Sequence, residues 1–183
     1  MKIDIEITGI TPLLMNRFNI DEQQSKIKEK NLTPRETAKK VCYEDEQQKL
    51  YYPTTNIYAC IIEAGKFHKD GKNKVTTMRS SLIPAGVMIE GETIYFKEPC
   101  SWEVDSRAVV VPSTGGRIVC HRPRLDNWCL PFTLSLDTKM FSPRFIRTVV
   151  DDAGGKVGLG DFRPARKGIF GRFVVTNWNE YTE

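Results

Sequence analysis

The residues with the clearest chemical potential lie together near the C-terminus, in the stretch Val157–Phe173. It places Gly158, Gly160, Gly168 and Gly171 among Arg163, Arg166, Lys167 and Arg172, with Phe162 in the middle. Glycine permits positive φ and lets a ligand approach backbone N–H groups without a Cβ in the way. Arginine and lysine between the glycines supply charge and bidentate contacts to phosphate, and Phe162 offers a face on which a base can stack. The pattern therefore predicts a loop that grips a sugar–phosphate backbone. The competing reading is a loop whose glycines serve turns and whose cations are merely solvated. A mononucleotide P-loop is excluded, because no G-K-[ST] follows and the segment leads into strand composition, not a helix.

Two further clusters carry unbalanced positive charge. Lys72, Lys74 and Arg79 follow the end of the best helix of the chain, beyond the reach of its dipole, which accounts for Lys66 and Lys69. Arg117, His121, Arg122 and Arg124 lie on the return strand of an expected hairpin and in the loop after it. These residues are candidates for phosphate contact, since each such contact adds to salt-dependent affinity. The hairpin has a plainer alternative role as an extension of the core sheet.

Catalytic signals are weak. His68 and His121 are the only histidines, and neither belongs to a metal-spaced cluster. His121 beside Arg122 and Arg124 is the better general base if the chain cleaves RNA without metal, the other reading being a surface histidine. No catalytic residue, metal ligand or cofactor is assigned. The five cysteines, Cys42, Cys60, Cys100, Cys120 and Cys129, are odd in number and lack C-x-x-C spacing, so buried reduced thiols are expected.

The chain has 183 residues, 40% hydrophobic and 27% charged, with a net charge of +4. These values fit one globular domain, residues 1–183, and exclude a disordered chain. No apolar run is long enough to span a bilayer. The alternating start Met1–Glu6 has no continuous apolar centre, which predicts a chain that begins here and stays in the cytosol.

The elements that must position these groups follow from periodicity. Lys2–Ile10 alternates Ile3, Ile5 and Ile7 with polar residues, as a half-buried strand does. A mobile insertion is expected over about 19–48, interrupted by a short helix starting at Thr33-Pro34 with Glu36 three residues after the cap. Lys49–Pro53 reads as a short strand, and Asn56–Lys69 as a helix with Ile57, Cys60, Ile61 and Ala64 on one face. Leu82–Phe96 supplies two strands around Glu90-Gly91-Glu92, and Trp102–Arg124 a long hairpin turning at Ser113–Gly116. Trp128–Leu136 is a strand, Ser142–Ala153 a capped helix closed by glycines, and Phe170–Trp178 the last strand. Without its insertions this order is βαββαβ, an α+β plan of the ferredoxin-like or RNA-recognition type, with an inserted hairpin and a C-terminal Gly-rich loop. Paired aromatics of a sequence-reading RNA-recognition sheet are not evident, which favours backbone over base recognition.

This order, the G-x-G then G-x-x-G segment before the last strand, and Gly9-Ile10-Thr11-Pro12-Leu13-Leu14 after the first strand resemble the repeat-associated (RAMP) superfamily. Here seven residues separate Gly160 from Gly168, which departs from the commoner spacing. The backbone subunits of CRISPR effector complexes in that superfamily carry a hairpin "thumb", to which Trp102–Arg124 is similar. The resemblance implies a non-catalytic subunit that coats single-stranded RNA in a sequence-tolerant way. Its partners would be the strand, further copies assembled head-to-tail into an open filament, and other effector subunits. Some such subunits cleave target RNA with an early-loop aspartate; Asp21 occupies such a loop, but no motif singles it out over Glu22. The chain is also similar to uncharacterised phage and mobile-element proteins. A single-stranded DNA-binding protein, a metal-independent endoribonuclease and a nucleic-acid-free structural phage protein therefore stand as alternatives.

Overall fold

A computed structural model describes residues 1–18, 32–111 and 113–182. In chain order the elements are β1 (Lys2–Gly9), β2 (Leu13–Leu14), α1 (Pro34–Lys40), β3 (Tyr51–Pro53), α2 (Thr54–Ala64), β4 (Lys69–Asp70) and β5 (Asn73–Lys74). They continue with α3 (Ile83–Gly86), β6 (Val87–Ile89), β7 (Thr93–Tyr95), β8 (Glu103–Val110), β9 (Arg117–Leu125), β10 (Cys129–Leu136), α4 (Pro143–Asp152) and β11 (Phe173–Tyr181).

The central sheet has four strands in the order β11-β1-β10-β6, with every pairing antiparallel. With α2 between β1 and β6, and α4 between β10 and β11, this is the βαββαβ plan and strand order of a ferredoxin-like α+β fold. Alternation builds its core. Ile3, Ile5 and Ile7 of β1 sit opposite Leu134, Phe132 and Leu130 of β10, and all six are buried. Ile57, Cys60, Ile61 and Ala64 of α2 and Ile146, Val149 and Val150 of α4 join the same cluster. Ser142 caps α4 by accepting from the Phe145 N–H at 3.2 Å, and Pro143 occupies the first turn. Thr33 and Glu36 form the expected capping box at α1, with the Thr33 N–H donating to the Glu36 carboxylate at 2.8 Å.

Some elements differ from the sequence expectation. The main helix stops at Ala64 and tightens into a 3₁₀ turn over Gly65–Phe67, because the chain must pass under Thr76: a Cβ at Gly65 would overlap the Thr76 hydroxyl. The basic residues after it form a small hairpin, β4–β5, instead of an open loop. Val87–Ile89 and Thr93–Tyr95 do not pair with each other. The turn at Gly91 (φ +76) sends the first to the edge of the central sheet and the second to β3. Of the expected insertion over 19–48, residues 19–31 lie outside the described residues, while α1 packs against the β8–β9 hairpin.

The long hairpin is real and its register runs from Glu103↔Arg124 to Val110↔Arg117. Its root is held by β2, which pairs Leu13 with Leu125 and Leu14 with Arg124. Pro123 lies within β9, where its carbonyl accepts from the Met15 N–H at 2.9 Å. Val110, Ile118 and Val119, near the tip, are more than half exposed at 53%, 52% and 62%.

Candidate nucleic-acid interface

The Gly-rich stretch is folded back on itself and on the turn after β1. A π-turn over Ala153–Val157 ends α4, and the chain then enters the loop at Gly158 with φ +76. A side chain at Gly160 would overlap the Leu14 carbonyl, one at Gly168 the backbone of Phe162, and one at Gly171 the Leu159 carbonyl. The glycines are thus required by backbone meeting backbone within the protein. Their N–H groups are engaged as well: Gly158 donates to Ala153 at 2.8 Å, Gly168 to Arg163 at 3.0 Å and Gly171 to Pro12 at 2.8 Å. The Gly160 N–H donates to the phenol oxygen of Tyr52 at 2.8 Å. Burial raises the pKa of that phenol above its usual value, so it stays neutral.

The loop cations divide into two groups. Arg163 is half-buried and donates to the Gly160 carbonyl at 2.9 Å, and Arg172 reaches the Gly155 carbonyl. Arg166 and Lys167, on and just after a 3₁₀ turn over Pro164–Arg166, are exposed and make no ion pair among the described residues. Lys167 adopts φ +61, which closes the turn and fixes where its side chain departs.

The hairpin divides in the same way. The Arg122 side chain is only 9% exposed, and its Nε lies 2.6 Å from an Asp161 carboxylate oxygen. Its guanidinium stands 5.2 Å from the centre of the Phe162 ring, and among the described residues its buried Nε and Nη1 have no aligned hydrogen-bond partner, so the Asp161 contact is an ion pair by proximity. Arg107 pairs with Asp105 at 2.9 Å and stands over Phe170 at 4.6 Å. Phe162, expected to stack on a base, therefore has a guanidinium against its ring. Arg124 pairs with Asp126 at 2.7 Å, and the His121 Nδ1 meets the Ser106 hydroxyl at 2.7 Å. Arg117, at the tip, is exposed and unpaired among the described residues.

Lys72, Lys74 and Arg79 are exposed on and after β4–β5. His68 lies 3.0 Å from Asp152 and edge-on to Phe145, joining the end of α2 to α4. No group of three metal-ligating side chains occurs among the described residues. Asp21 lies outside them.

The sheet face opposite the helices is polar. Thr133 donates to Asp4 at 2.7 Å, Lys97 pairs with Glu6 at 2.8 Å, and Lys2 pairs with Glu90 at 3.1 Å. The hydrogen bond from Lys97 holds the Glu6 carboxyl below its usual range. With its carboxylates already matched and few aromatics, this face is unsuited to base stacking. Among the described residues, exposed cations without an ion pair include Arg166 and Lys167 on the Gly-rich loop, Lys72, Lys74 and Arg79 on and after the small hairpin, and Arg117 at the long hairpin's tip.

Sequence reasoning passed over Asp161, which anchors Arg122, accepts from Asn16 at 3.3 Å and ties loop to hairpin. Tyr52 is buried under the loop as its hydrogen-bonding floor. No local signal pairs either residue with its partner, since the partners are 39 and 108 positions away.

Fold and site together define a ferredoxin-like α+β protein with a long hairpin inserted between the second and third core strands and a basic loop before the last. Sequence comparison adds nothing to this: no family model matches, and no curated protein is similar. Comparison of structures does, with 64 matching chains. One belongs to the type III-B Cmr-beta complex, solved by cryo-EM bound to cognate target RNA, with a TM-score of 0.53 at 10% identity over 97% of this chain. This chain spans 59% of that chain's length.

Proposed function

We propose that this protein binds single-stranded nucleic acid, with RNA favoured, through the sugar–phosphate backbone and largely without regard to sequence. The observation that carries the reading is the pair of exposed cations Arg166 and Lys167, without an ion pair among the described residues, on a loop whose geometry is fixed by its own backbone bonds. Lys72, Lys74, Arg79 and Arg117 extend the positive surface. A fixed loop presents charge at little ordering cost, and charge without an internal partner is available to phosphate. The likeness to a chain of a complex bound to target RNA supports RNA and a role beside other subunits; assembly with further copies is part of the proposal. In this reading the glycines shape the loop without touching the strand. Arg122, Arg124, Arg163 and Arg172 position it, and the hairpin tip reaches a neighbour.

The test is fluorescence anisotropy with a labelled 20-nucleotide RNA across a salt series. Replacing Lys72, Lys74, Arg166 and Lys167 together by Ala removes four phosphate contacts. The slope of log affinity against log salt should then fall by roughly 3, at about 0.7 per contact. Unchanged affinity and slope would overturn the reading. Nuclease treatment of material that co-purifies then separates the two strands: ribonuclease sensitivity fits RNA, and deoxyribonuclease sensitivity replaces it with DNA.

A further inference from the structure

A cavity of about 280 Å³ opens between α2 and the Gly-rich loop. Its floor is buried protein: the Tyr52 ring, Leu159 and the Cys60 thiol, whose Sγ donates to the Gly158 carbonyl at 3.2 Å. Burial pushes that thiol's pKa up to about 12, so the floor offers no nucleophile at neutral pH. Tyr43 stands edge-on to Tyr52 with ring centres 5.6 Å apart and forms an aromatic wall.

The rim carries mainly acceptors. Asn56 donates through Nδ2 to the Tyr43 phenol at 3.3 Å, which leaves its carbonyl oxygen to accept. Glu63 holds Lys66 through one carboxylate oxygen at 3.0 Å and keeps the other. Asp161 is the second carboxylate of the rim, and Arg163, already bonded to Gly160, is the cation on it. Lys66 and Arg122 already pair with these two carboxylates, and Arg163 is bonded to the Gly160 carbonyl, so the rim holds no cluster of free cations to seat a phosphate. Aromatic walls with acceptors at the edge suit a flat, neutral heterocycle that carries N–H donors. The volume lies near the lower limit for ligand pockets, about 300 Å³, which fits one such ring system.

We infer that this cavity takes one nucleobase turned out from the bound strand, and that it prefers a base bearing an amino group over uracil. The inference rests on the single-strand-binding reading above. Arg163 lies both on the rim and at the head of the turn that carries Arg166 and Lys167, so backbone-binding charge begins where the cavity ends. The exposed side of α2, through Ala59 and Glu63 to Lys66, leads from the cavity toward β4–β5 and its lysines. The strand would be held at its phosphates while one base per protein is examined.

Cytosine and uracil probe this directly: cytosine carries an exocyclic amino donor beside an acceptor N3, whereas uracil carries a carbonyl beside an N3–H. Affinities of 15-nucleotide oligo(C), oligo(U) and an abasic strand are compared at one salt concentration. Oligo(C) should bind about tenfold tighter than oligo(U), the ratio expected of one hydrogen bond to a charged acceptor. Ala59→Trp fills the cavity from an exposed helix position; it should abolish the preference for C while abasic binding stays unchanged. Glu63→Gln should reduce the preference without altering the fold. Equal binding of C and U, or a preference that survives Ala59→Trp, overturns the cavity assignment alone. Failure of all three strands to bind overturns the underlying reading and the cavity with it.

Discussion

The Gly-rich loop and the long hairpin share a vocabulary of glycine, arginine and lysine, but they use it in opposite ways. In the loop, glycine is where two backbones touch: Gly160 lies against Leu14 and Gly171 against Leu159. At the hairpin tip, Gly115 has a similar left-handed φ of +68, yet a Cβ added there would meet nothing within 4 Å. The loop's N–H groups are engaged by protein carbonyls, whereas the tip exposes β-branched side chains and one unpaired arginine. Packing makes a glycine indispensable in the first region, while only local backbone strain does so in the second. The loop is a fixed surface whose outward cations define its use, and the hairpin is fixed only at its root. There Arg122 meets Asp161, and Arg107 stands over Phe170.

The largest effect should come from Gly171→Ala. The methyl group must displace the Leu159 backbone as well as adopt φ +69, and nothing flexible lies there to yield. A loss of about 4 kcal/mol is expected, at the upper end for a single substitution, read from urea unfolding. A loss near 1 kcal/mol would mean the loop is as loose as the hairpin tip. Next comes Asp161→Ala, which strands the buried Arg122 guanidinium. Orphaning a buried charge costs about 3–5 kcal/mol, and a somewhat smaller loss of roughly 2–3 kcal/mol is expected because the Asp161 side chain is 29% exposed. Adding Arg122→Met to that variant should recover part of the loss. If the two substitutions are simply additive, the loop and the hairpin root are not coupled through this pair.

Alkaline pH probes the underside of the loop. The Cys60 thiol has a folded pKa of about 12 against an ordinary 9.0. A raised folded value means the protein favours the neutral thiol. Its contribution is therefore complete below 9.0 and is lost as pH rises toward 12. At about pH 10.5 this one thiol should cost about 2 kcal/mol, and Cys60→Ala should flatten the alkaline limb of the stability curve by that amount. A limb of unchanged steepness would mean that the thiol under the loop is open to solvent.

Much of the fold was legible because burial alternates locally. Ile3-Ile5-Ile7, the stripe Ile57-Cys60-Ile61-Ala64 and the Ser142-Pro143 cap each announce an element within a few residues. What could not be read depends on distant partners. Val87–Ile89 and Thr93–Tyr95 look like one hairpin because the turn between them is local, yet their pairing is decided by β10 and β3. At the site, the arginines were visible as charges, but which of them face inward was not. Arg122 and Arg166 read alike until Asp161 is placed beside one and open solvent beside the other. The cavity was invisible for the same reason, since its rim joins Asn56 and Glu63 to Arg163 across about a hundred residues of chain.

The smallest expected effect is at the hairpin tip, and its smallness is the point. Ile118 and Val119 are 52% and 62% exposed, so replacing both by Thr removes little buried apolar surface and keeps β-branched strand formers. Stability should change by no more than about 0.5 kcal/mol, the usual range for surface positions. Gly115→Ala should cost about 1 kcal/mol, from left-handed backbone strain alone. If the tip is a contact surface, the double substitution should instead act on association. Sedimentation of the protein on a long RNA should show fewer copies bound side by side, while affinity for a strand long enough for one copy stays the same. A large loss of stability from the same pair would show that the tip packs on the domain, and the contrast between a fixed loop and a free hairpin would fail at that point.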